Sequence, residues 1–254
     1  MKTDGLRARM RRGEPLCGTF VKTPVPEIVE VLAQSGLDFL CFDAEHAPFD
    51  RGRLDACIGM ARALGTPSLV RVTAGEPLQI LRALDSGALG VVVPHCASVA
   101  DAEAVARAAH FGHGGRGFAG STRWAGFATK PMADVLALDE ETIVIGQIEE
   151  PEGVEAAAGI AAVENIDGLF VGPADLAVCY GETDISSAPV RDAIASVSRA
   201  ARDAGKSAVT FAPSAAMTAE LAALGVNMIF FASDHAWMLK GARETAAAFR
   251  EETD

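Results

Sequence analysis

The sequence predicts an α/β protein built as a single (β/α)₈ barrel. The first observation is that short runs rich in Val, Ile, Leu and Phe alternate with longer Ala-rich amphipathic stretches. The second is that the short runs are apolar almost throughout, which is typical of parallel strands buried on both faces. The third is the length of 254 residues, 50% of them hydrophobic, which suffices for one large core.

Eight of the short apolar runs are predicted as strands. In chain order they cover residues 16–21, 38–43, 67–72, 89–94, 142–149, 167–172, 207–211 and 227–231. A doubly wound open sheet is the alternative arrangement of such units. No Gly-x-Gly-x-x-Gly follows the first run, which disfavours a dinucleotide-binding sheet of that kind.

Amphipathic patterns between these runs predict the helices. Examples cover residues 26–36, 77–87, 99–109, 151–163, 190–205 and 215–225. Pro26, Pro77 and Pro151 stand at first helical positions, where the missing N–H of proline is tolerated. Glycine follows the last apolar turn of four of these helices, as a positive φ at a helix end favours: Gly36, Gly87, Gly205 and Gly225.

The whole chain, 1–254, is predicted to be one domain. Residues 1–15 are predicted as a short amphipathic helix that leads into it, and residues 233–254 as a C-terminal helix. Residues 95–131 are glycine-rich and too long for an ordinary connection, which predicts a mobile lid or a subunit contact.

Composition and charge exclude several classes of partner. A formal net charge of −12 and a pI near 4.9 argue against nucleic acid, because phosphate binding needs a basic face. No apolar run reaches the roughly 18 residues of a membrane span. The arginine-rich start has no apolar segment typical of a secretory signal. Five cysteines without a CxxC spacing indicate buried thiols in a reducing cytoplasm rather than a zinc site.

Titratable side chains gather where the predicted strands end. Asp43, Glu45 and His46 follow the second strand, and Arg71 ends the third. The C-terminal strand ends of a barrel surround one mouth, which is where barrel enzymes carry their chemistry. His46 and Arg71 also have purely structural interpretations. His46 would be a histidine whose hydrogen bonds are made within the protein, and Arg71 would be a salt-bridge partner of Asp43 or Glu45.

The later strands add donors of the same kind. Gln147 and Glu149 lie on the fifth predicted strand, and Asp175 follows the sixth. Two carboxylates and an amide from neighbouring strands suit a hard divalent cation such as Mg²⁺. A 2-oxo acid bound there would have its enolate stabilised by the cation and by Arg71, while His46 moved a proton. These are the parts that an aldol or retro-aldol reaction needs.

Five segments of the chain resemble the metal-dependent (class II) pyruvate aldolases of the HpcH/HpaI group, relatives of citrate lyase β-chains. They read FDAEHAPFD, VRV, GVVVPH, GQIEEPEGVE and GLFVGPADLA, within a similarity that spans about Gly18 to Asp234. The resemblance implies a (β/α)₈ barrel, usually hexameric, that uses Mg²⁺, Mn²⁺ or Co²⁺. It also implies release of pyruvate from 4-hydroxy-2-oxo acids and the reverse addition to aldehydes.

The resemblance also implies roles for individual residues. Glu149 and Asp175 would bind the metal, His46 would be the acid/base, and Arg71 would hold the keto or enolate oxygen. Gln147 would position the substrate, and a turn would bind its carboxylate through Gly172, Pro173 and Ala174. Asp43 and Asp85 correspond to the acidic partners near the histidine, and in these assemblies the second can come from a neighbouring subunit.

Phe211 departs from the pattern of the family, because an aliphatic residue is expected at the end of the seventh strand. A ring there would narrow the acceptor side, which predicts a preference for small or hydroxylated aldehydes. Arg116 and Arg123, in the segment 95–131, would bind a distal carboxylate or contact a neighbouring subunit.

Three alternative functions remain open at this point. A Schiff-base aldolase would need a reactive lysine, and Lys22 is the nearest candidate, although its segment KTPVPE predicts an exposed loop. An acyl-CoA lyase of the citrate lyase β type would need a basic surface for the CoA phosphates. A non-catalytic, metal-dependent binder of oxo acids would bind pyruvate without exchanging its methyl protons.

Overall fold

The computed structural model describes residues 5–253 and forms a closed barrel of eight parallel strands. All eight predicted strands are present, with ends shifted by no more than two residues. They are β1 (Leu16–Val21), β2 (Phe39–Asp43), β3 (Ser68–Arg71), β4 (Gly90–Val93), β5 (Ile143–Ile148), β6 (Gly168–Val171), β7 (Ser207–Ala212) and β8 (Met228–Ser233). Each strand pairs with the next along the chain, and β8 pairs with β1 to close the barrel.

Eleven α-helices are found among the described residues, most of them around the barrel. They are α1 (Leu6–Arg11), α2 (Pro26–Ala33), α3 (Arg51–Ala63), α4 (Pro77–Asp85), α5 (Val99–Ala109), α6 (Met132–Ala137), α7 (Pro151–Ala162), α8 (Pro173–Cys179), α9 (Ala188–Asp203), α10 (Thr218–Ala223) and α11 (Asp234–Thr253). Two short 3₁₀ turns cover Leu138–Glu141 and Ala215–Met217. The helix predicted over residues 1–15 is present as α1, which is six residues long. Residues 1–4 lie outside the described part of the chain.

The core has two layers, separated by the strands. Inside the barrel, side chains of alternating direction form one apolar cluster, which includes Phe39, Phe170 and Phe230. Outside, the other faces of the strands pack against the helices in a larger cluster. Gly18 lies opposite Phe39 on the neighbouring strand, and a Cβ at position 18 would come within 2.5 Å of that ring. The glycine therefore makes room for the phenylalanine in the narrow barrel.

The N-terminal end of the barrel is closed by α1. Leu6 and Met10 of this helix belong to the interior cluster. Arg7 Nε lies 2.7 Å from Asp167 Oδ1, and the other oxygen of Asp167 accepts a hydrogen bond from Val144 N. Arg9 Nη1 lies 2.9 Å from Asp38 Oδ1. Buried ion pairs therefore fix α1 at the start of the strands.

The segment 95–131 contains α5 and then an irregular stretch that packs beside α4. Trp124 N donates to Asp85 O, and Arg123 Nη1 donates to Ser86 O, so the stretch lies against the C-terminal end of α4. Because α4 runs back from the C-terminal to the N-terminal ends of the strands, this contact is remote from the mouth. None of the described helices is long and apolar enough to cross a membrane.

Candidate active site

A cavity of about 430 Å³ opens at the C-terminal ends of the strands. Its lining includes most of the predicted site residues: His46, Arg71, Gln147, Gly172, Pro173, Ala174, Asp175 and Phe211. The register explains this convergence, because parallel neighbours end side by side, as Asp43 and Arg71 do on β2 and β3. We call this space the mouth cavity.

A larger cavity of about 670 Å³ lies on the outside of the barrel, between α5 and α7. It is lined by His110, His113 and Arg107 but by none of the predicted site residues. The outer groove also has two carboxylates and an amide in its lining, Glu103, Glu164 and Asn165, but the buried Arg71 and the predicted site residues lie at the mouth cavity. Chemistry and size therefore point to different places. The chemistry is the better guide, since a site needs specific polar groups as well as volume.

Asp43 and Arg71 form a buried, two-bond ion pair at the mouth cavity. Arg71 Nε lies 3.0 Å from Asp43 Oδ1, and Nη2 lies 2.8 Å from Oδ2. Burial raises the pKa of Asp43, but the bonds and charge of Arg71 outweigh it and hold that pKa below its ordinary value. The guanidinium also lies over the Phe20 ring, 4.3 Å from its centroid. The predicted salt bridge is therefore present, yet it leaves Arg71 as a fixed positive charge in the lining of the cavity.

His46 stands beside two acids. Its backbone N–H donates to Asp43 Oδ1 over 3.1 Å, and its Nε2 lies 3.6 Å from Glu45 Oε2. The ring itself is largely exposed, with 59% of the side-chain surface accessible. The backbone of the histidine is thus fixed by Asp43, while its ring faces the mouth and is free to meet a substrate.

Glu45 is a site residue that the sequence interpretation left without a role. Its Oε2 lies 3.3 Å from Arg71 Nε, and that oxygen is buried without a hydrogen-bond partner in the described part of the chain. Burial raises the pKa of Glu45, although the charge of Arg71 opposes the shift. The signal was present in the sequence, since Glu45 stands between Asp43 and His46.

Glu149 and Gln147 are brought together by β5. Glu149 is 3% exposed, and its Oε2 accepts a hydrogen bond from Gln147 Nε2. Its Oε1 accepts one from the backbone N–H of His95 over 2.8 Å. A Cβ at Gly172 would lie 3.2 Å from Glu149 Oε2 and 3.0 Å from its Cβ. Glycine at this position keeps open the space in front of the carboxylate.

Asp175 enters the mouth cavity from the first turn of α8 and is exposed there. Gly172 and Asp175 both line the mouth cavity. Gly172 lies directly beside Glu149. Gln147 Oε1 is a buried oxygen without a hydrogen-bond partner among residues 5–253. Carboxylate and amide oxygens beside an open cradle fit a hard divalent cation such as Mg²⁺, Mn²⁺ or Co²⁺.

A second group of ligand-type atoms lies next to Glu149. His95 Nδ1 lies 2.5 Å from Glu150 Oε1 and 3.2 Å from Glu149 Oε1. The three ligand atoms are all within 4.8 Å of one another. The hydrogen bond that the His95 ring donates to Glu150, with smaller effects of the surrounding acids, raises the pKa of His95.

Lys22 also lines the mouth cavity, although the loop that follows it is half-buried to exposed. Its Nζ lies 3.0 Å from Asp43 Oδ2. The cause is non-local: the buried carboxylate of Asp234 accepts hydrogen bonds from the N–H groups of Lys22 and Thr23, at 2.8 and 2.9 Å. This contact between distant parts of the chain turns the lysine inward.

Asp85, the other predicted partner of His46, does not line the mouth cavity of its own chain. It ends α4, near the N-terminal ends of the strands, where its Oδ1 lies 2.6 Å from Arg116 Nη2. The Arg116 guanidinium is buried between the rings of Phe111 and Trp124, 4.7 and 5.2 Å from their centroids. Within one chain, helix direction keeps Asp85 and His46 apart.

The two arginines of the segment 95–131 are likewise engaged away from the mouth cavity. Arg116 pairs with Asp85, and Arg123 binds both oxygens of Asp55, at 2.6 and 2.9 Å. Among the described residues, none from 95–131 lines the cavity. In this conformation the segment does not cover the mouth of its own barrel.

An aromatic wall bounds one side of the mouth cavity. Phe211 ends β7, and its ring centroid lies 6.4 Å from that of Phe20. Phe20 in turn packs on Phe170, at 6.2 Å. Phe211 lines the mouth cavity, and its ring is part of a packed cluster.

Three of the five cysteines are poor candidates for a nucleophile because they are buried. Cys41, Cys57 and Cys96 are buried, and burial raises the pKa of Cys57 to about 11 and that of Cys96 to about 12. A thiol with such a pKa stays protonated at neutral pH and is a poor nucleophile. Cys179, at the end of α8, is exposed.

Comparison with known proteins links this geometry to one family. Residues 16–240 match the family model described as HpcH/HpaI aldolase/citrate lyase. A hydroxypyruvate/pyruvate aldolase of Paraburkholderia phytofirmans is 33% identical over 256 residues, which cover 98% of either chain. A 5-keto-4-deoxy-D-glucarate aldolase of Klebsiella pneumoniae is 34% identical over 229 residues, 89% of either chain.

Solved structures agree with the sequence comparison. The crystal structure of an HpcH/HpaI aldolase/citrate lyase family protein from Burkholderia cenocepacia superposes with a TM-score of 0.91 at 35% identity. The match covers 96% of this chain and 98% of that one. The similarity therefore includes the barrel and its mouth, and not an isolated motif.

Proposed function

Because the chain belongs to the HpcH/HpaI aldolase/citrate lyase family and has an aldolase function, we propose that it is a class II, metal-dependent pyruvate aldolase. It cleaves 4-hydroxy-2-oxo acids into pyruvate or hydroxypyruvate and an aldehyde, and it catalyses the reverse addition. The observation that carries the proposal is that Gln147, Asp175, Arg71 and His46 line one cavity. The buried Glu149 carboxylate packs against Gln147 and Gly172 of that lining.

Glu149 and Asp175 are the proposed ligands of the divalent ion, which is Mg²⁺, Mn²⁺ or Co²⁺. When bound, such an ion supplies Lewis-acid stabilisation of the negative charge that develops on the substrate. Gln147 positions the 2-oxo acid beside Glu149. The turn formed by Gly172, Pro173 and Ala174 receives the substrate carboxylate.

Arg71 faces the keto oxygen, which becomes the enolate oxygen during the reaction. Its ion pair with Asp43 and its contact with Phe20 fix the guanidinium before substrate arrives. A charge held in place costs no reorganisation when the enolate forms, and this is the main source of electrostatic catalysis.

His46 moves the proton. In the cleavage direction it accepts the proton of the C4 hydroxyl group, the C3–C4 bond breaks, and the C4–O group becomes the aldehyde carbonyl. The electrons of the broken bond pass to the enolate of pyruvate, which then takes a proton at C3. An exposed imidazole at the mouth suits a group that must both accept and donate a proton.

Asp85 is proposed to act from a neighbouring subunit. It cannot reach His46 within one chain, because α4 carries it towards the other end of the barrel. The resemblance to hexameric relatives supports a homohexamer in which Asp85 of one subunit meets His46 of another. We also propose a reducing, cytoplasmic setting, which the buried thiols support.

The test is an aldehyde-panel assay with pyruvate and hydroxypyruvate as donors, with and without added divalent ions. EDTA should abolish carbon–carbon bond formation, and Mn²⁺ or Mg²⁺ should restore it. Exchange of the pyruvate methyl protons in D₂O should also require the ion.

Two outcomes would replace the proposal with a named alternative. Activity that survives EDTA, together with covalent trapping of pyruvate on Lys22 by borohydride, would indicate a Schiff-base aldolase. Schiff-base chemistry needs a neutral amine among apolar groups, whereas Lys22 faces the Asp43 carboxylate. Metal-dependent pyruvate binding without proton exchange or cleavage would indicate a binding protein.

A further inference from the structure

His95 contacts both carboxylates of the pair Glu149–Glu150. Its backbone N–H donates to Glu149 Oε1 over 2.8 Å, while its ring Nδ1 lies 2.5 Å from Glu150 Oε1. Only 4% of the Glu149 side chain is exposed, whereas 29% of the Glu150 side chain and 65% of the His95 ring are accessible. One residue therefore joins a buried acid that borders the mouth cavity to a more exposed acid beside it.

The backbone of His95 has an unusual conformation that serves this contact. Its φ of +56° lies in the left-handed region, which residues with a Cβ adopt rarely and at a cost. The next residue resumes the β4–β5 ladder, since Cys96 N donates to Gln147 O over 2.9 Å. The turn at His95 thus removes one N–H from the ladder and directs it at the carboxylate of Glu149.

Two neighbouring glutamates create a problem for a metal site that must leave positions for substrate. The ligand atoms of His95, Glu149 and Glu150 already lie within 4.8 Å of one another. If Glu150 turned towards the ion held by Glu149, a third carboxylate would tighten metal binding and occupy a position that a substrate oxygen needs. Something must therefore keep Glu150 out of the first coordination sphere.

We propose that His95 is a positioning residue that aims Glu149 at the mouth cavity with its backbone N–H and holds Glu150 away with its ring. This inference rests on the proposed function, because it presupposes that Glu149 binds the catalytic ion. The ring bond of 2.5 Å occupies Glu150 Oε1. The backbone bond occupies Glu149 Oε1 and leaves Oε2 on the side of Gln147 and Gly172.

The test compares His95→Gly, Glu150→Gln and the double variant. Glycine accepts a positive φ, so His95→Gly removes the ring and keeps the backbone turn. Mn²⁺ affinity is measured by titration calorimetry, and kcat and KM by cleavage of a 4-hydroxy-2-oxo acid. His95→Gly should bind Mn²⁺ about fivefold more tightly through the freed Glu150. Its kcat should fall at least about tenfold, because that carboxylate obstructs the substrate.

Rescue is the readout that a merely structural role would not produce. Adding Glu150→Gln to His95→Gly should return both Mn²⁺ affinity and kcat to the values of Glu150→Gln alone. Losses that multiply in the double variant, or Mn²⁺ binding that weakens in His95→Gly, would overturn the proposal. If His95→Gly does not fold, His95→Asn replaces it, since asparagine also tolerates the left-handed region.

The backbone role has its own control. His95→Ala also lacks the ring but disfavours the positive φ, so it should bind Mn²⁺ more weakly than His95→Gly. Equal affinities of the two would refute the backbone part. Failure of the proposed function is distinguishable, because it would appear as a wild-type protein that binds no Mn²⁺ or is indifferent to EDTA.

Discussion

Buried polar side chains lie at both ends of the barrel, but they differ in their hydrogen-bond partners. At the N-terminal end, both oxygens of Asp167 have partners, Arg7 and Val144 N, and α1 covers them. At the mouth, Glu45 Oε2 and Gln147 Oε1 have no hydrogen-bond partner in the described part of the chain, and a cavity of about 430 Å³ adjoins them. A buried polar group without a partner needs an explanation, and at the mouth the adjoining cavity provides one, since a ligand bound there would supply the partner.

The difference also separates what each end contributes. A closed network of ion pairs contributes to the free energy of unfolding, since loss of one partner leaves the other charge buried. Polar groups that lack hydrogen-bond partners and adjoin a cavity contribute instead to substrate binding and proton transfer. Substitutions in the buried ion pairs and substitutions among the unpaired groups of the mouth should therefore change different quantities. The Asp43–Arg71 pair, although it lies at the mouth, belongs with the buried ion pairs.

The largest expected effect is on catalysis at the mouth. His46→Ala should lower kcat by roughly 10² to 10⁴, the usual cost of removing a general acid/base. Its Mn²⁺ affinity and thermal unfolding midpoint should stay near those of the wild type, because the ring is exposed and its contact with Glu45 is long. Loss of the metal in this variant would show that His46 is a ligand instead.

The next effect is on stability at the N-terminal end. Arg7→Met should lower the free energy of unfolding by about 3–5 kcal/mol, since Asp167 would remain buried without its partner. Its kcat/KM per folded protein should not change. Arg53→Met, in an exposed ion pair with Asp50, is the matched control and should cost at most about 0.5 kcal/mol. A large loss of activity in folded Arg7→Met would contradict the separation.

A smaller effect concerns the pH dependence of stability at the mouth. The pKa of Asp43 is lower in the folded protein than its ordinary value of 3.8. Such a carboxylate stabilises the fold above its ordinary pKa, and that contribution is lost as the pH falls through the lowered folded value. The stability difference between wild type and Asp43→Asn should therefore shrink below about pH 4.

Urea unfolding of the metal-free proteins between pH 3 and 7 would measure this difference. The Asp43→Asn variant should be the less stable at pH 7, because Arg71 remains buried without its carboxylate. A difference that grows as the pH falls would mean that Asp43 does not have a lowered pKa.

The smallest expected effect is on acceptor choice. Phe211→Val should enlarge the aromatic side of the cavity and improve kcat/KM for a long aldehyde relative to a short one by roughly tenfold. The ratio of the two rates, measured with pyruvate as donor, checks this. An unchanged ratio would show that Phe211 does not determine acceptor specificity. Phe211→Leu is the control, because it also removes the packing of the ring on Phe20 but keeps a larger side chain than valine.

Local patterns in the sequence predict the fold almost completely. The short apolar runs that alternate with amphipathic stretches predict all eight strands. Proline and glycine positions predict helix ends, for example at Gly36 and Gly87, which both have a positive φ. Because the C-terminal ends of the strands surround one mouth, the sequence also predicts that Arg71 and Asp175 lie at one cavity. These features depend on neighbours in sequence or on the one topology that the alternation allows.

The missed features depend on contacts between distant residues. Lys22 turns inward because Asp234, 212 positions away, binds its loop. The segment 95–131 packs beside α4 through Arg116 and Asp85, a pairing that no periodicity encodes. The contacts of His95 with Glu149 and Glu150 join the ends of two strands and need a backbone turn that sequence patterns do not reveal.

Anomalous scattering from a crystal soaked in Mn²⁺ and pyruvate would locate the proposed metal site directly. We predict a single strong manganese peak in the mouth cavity, bound by one carboxylate oxygen from Glu149 and one from Asp175, with pyruvate between the ion and Arg71. A peak held by His95 and Glu150, or Glu149 and Asp175 facing separate spaces, would refute the proposed metal site.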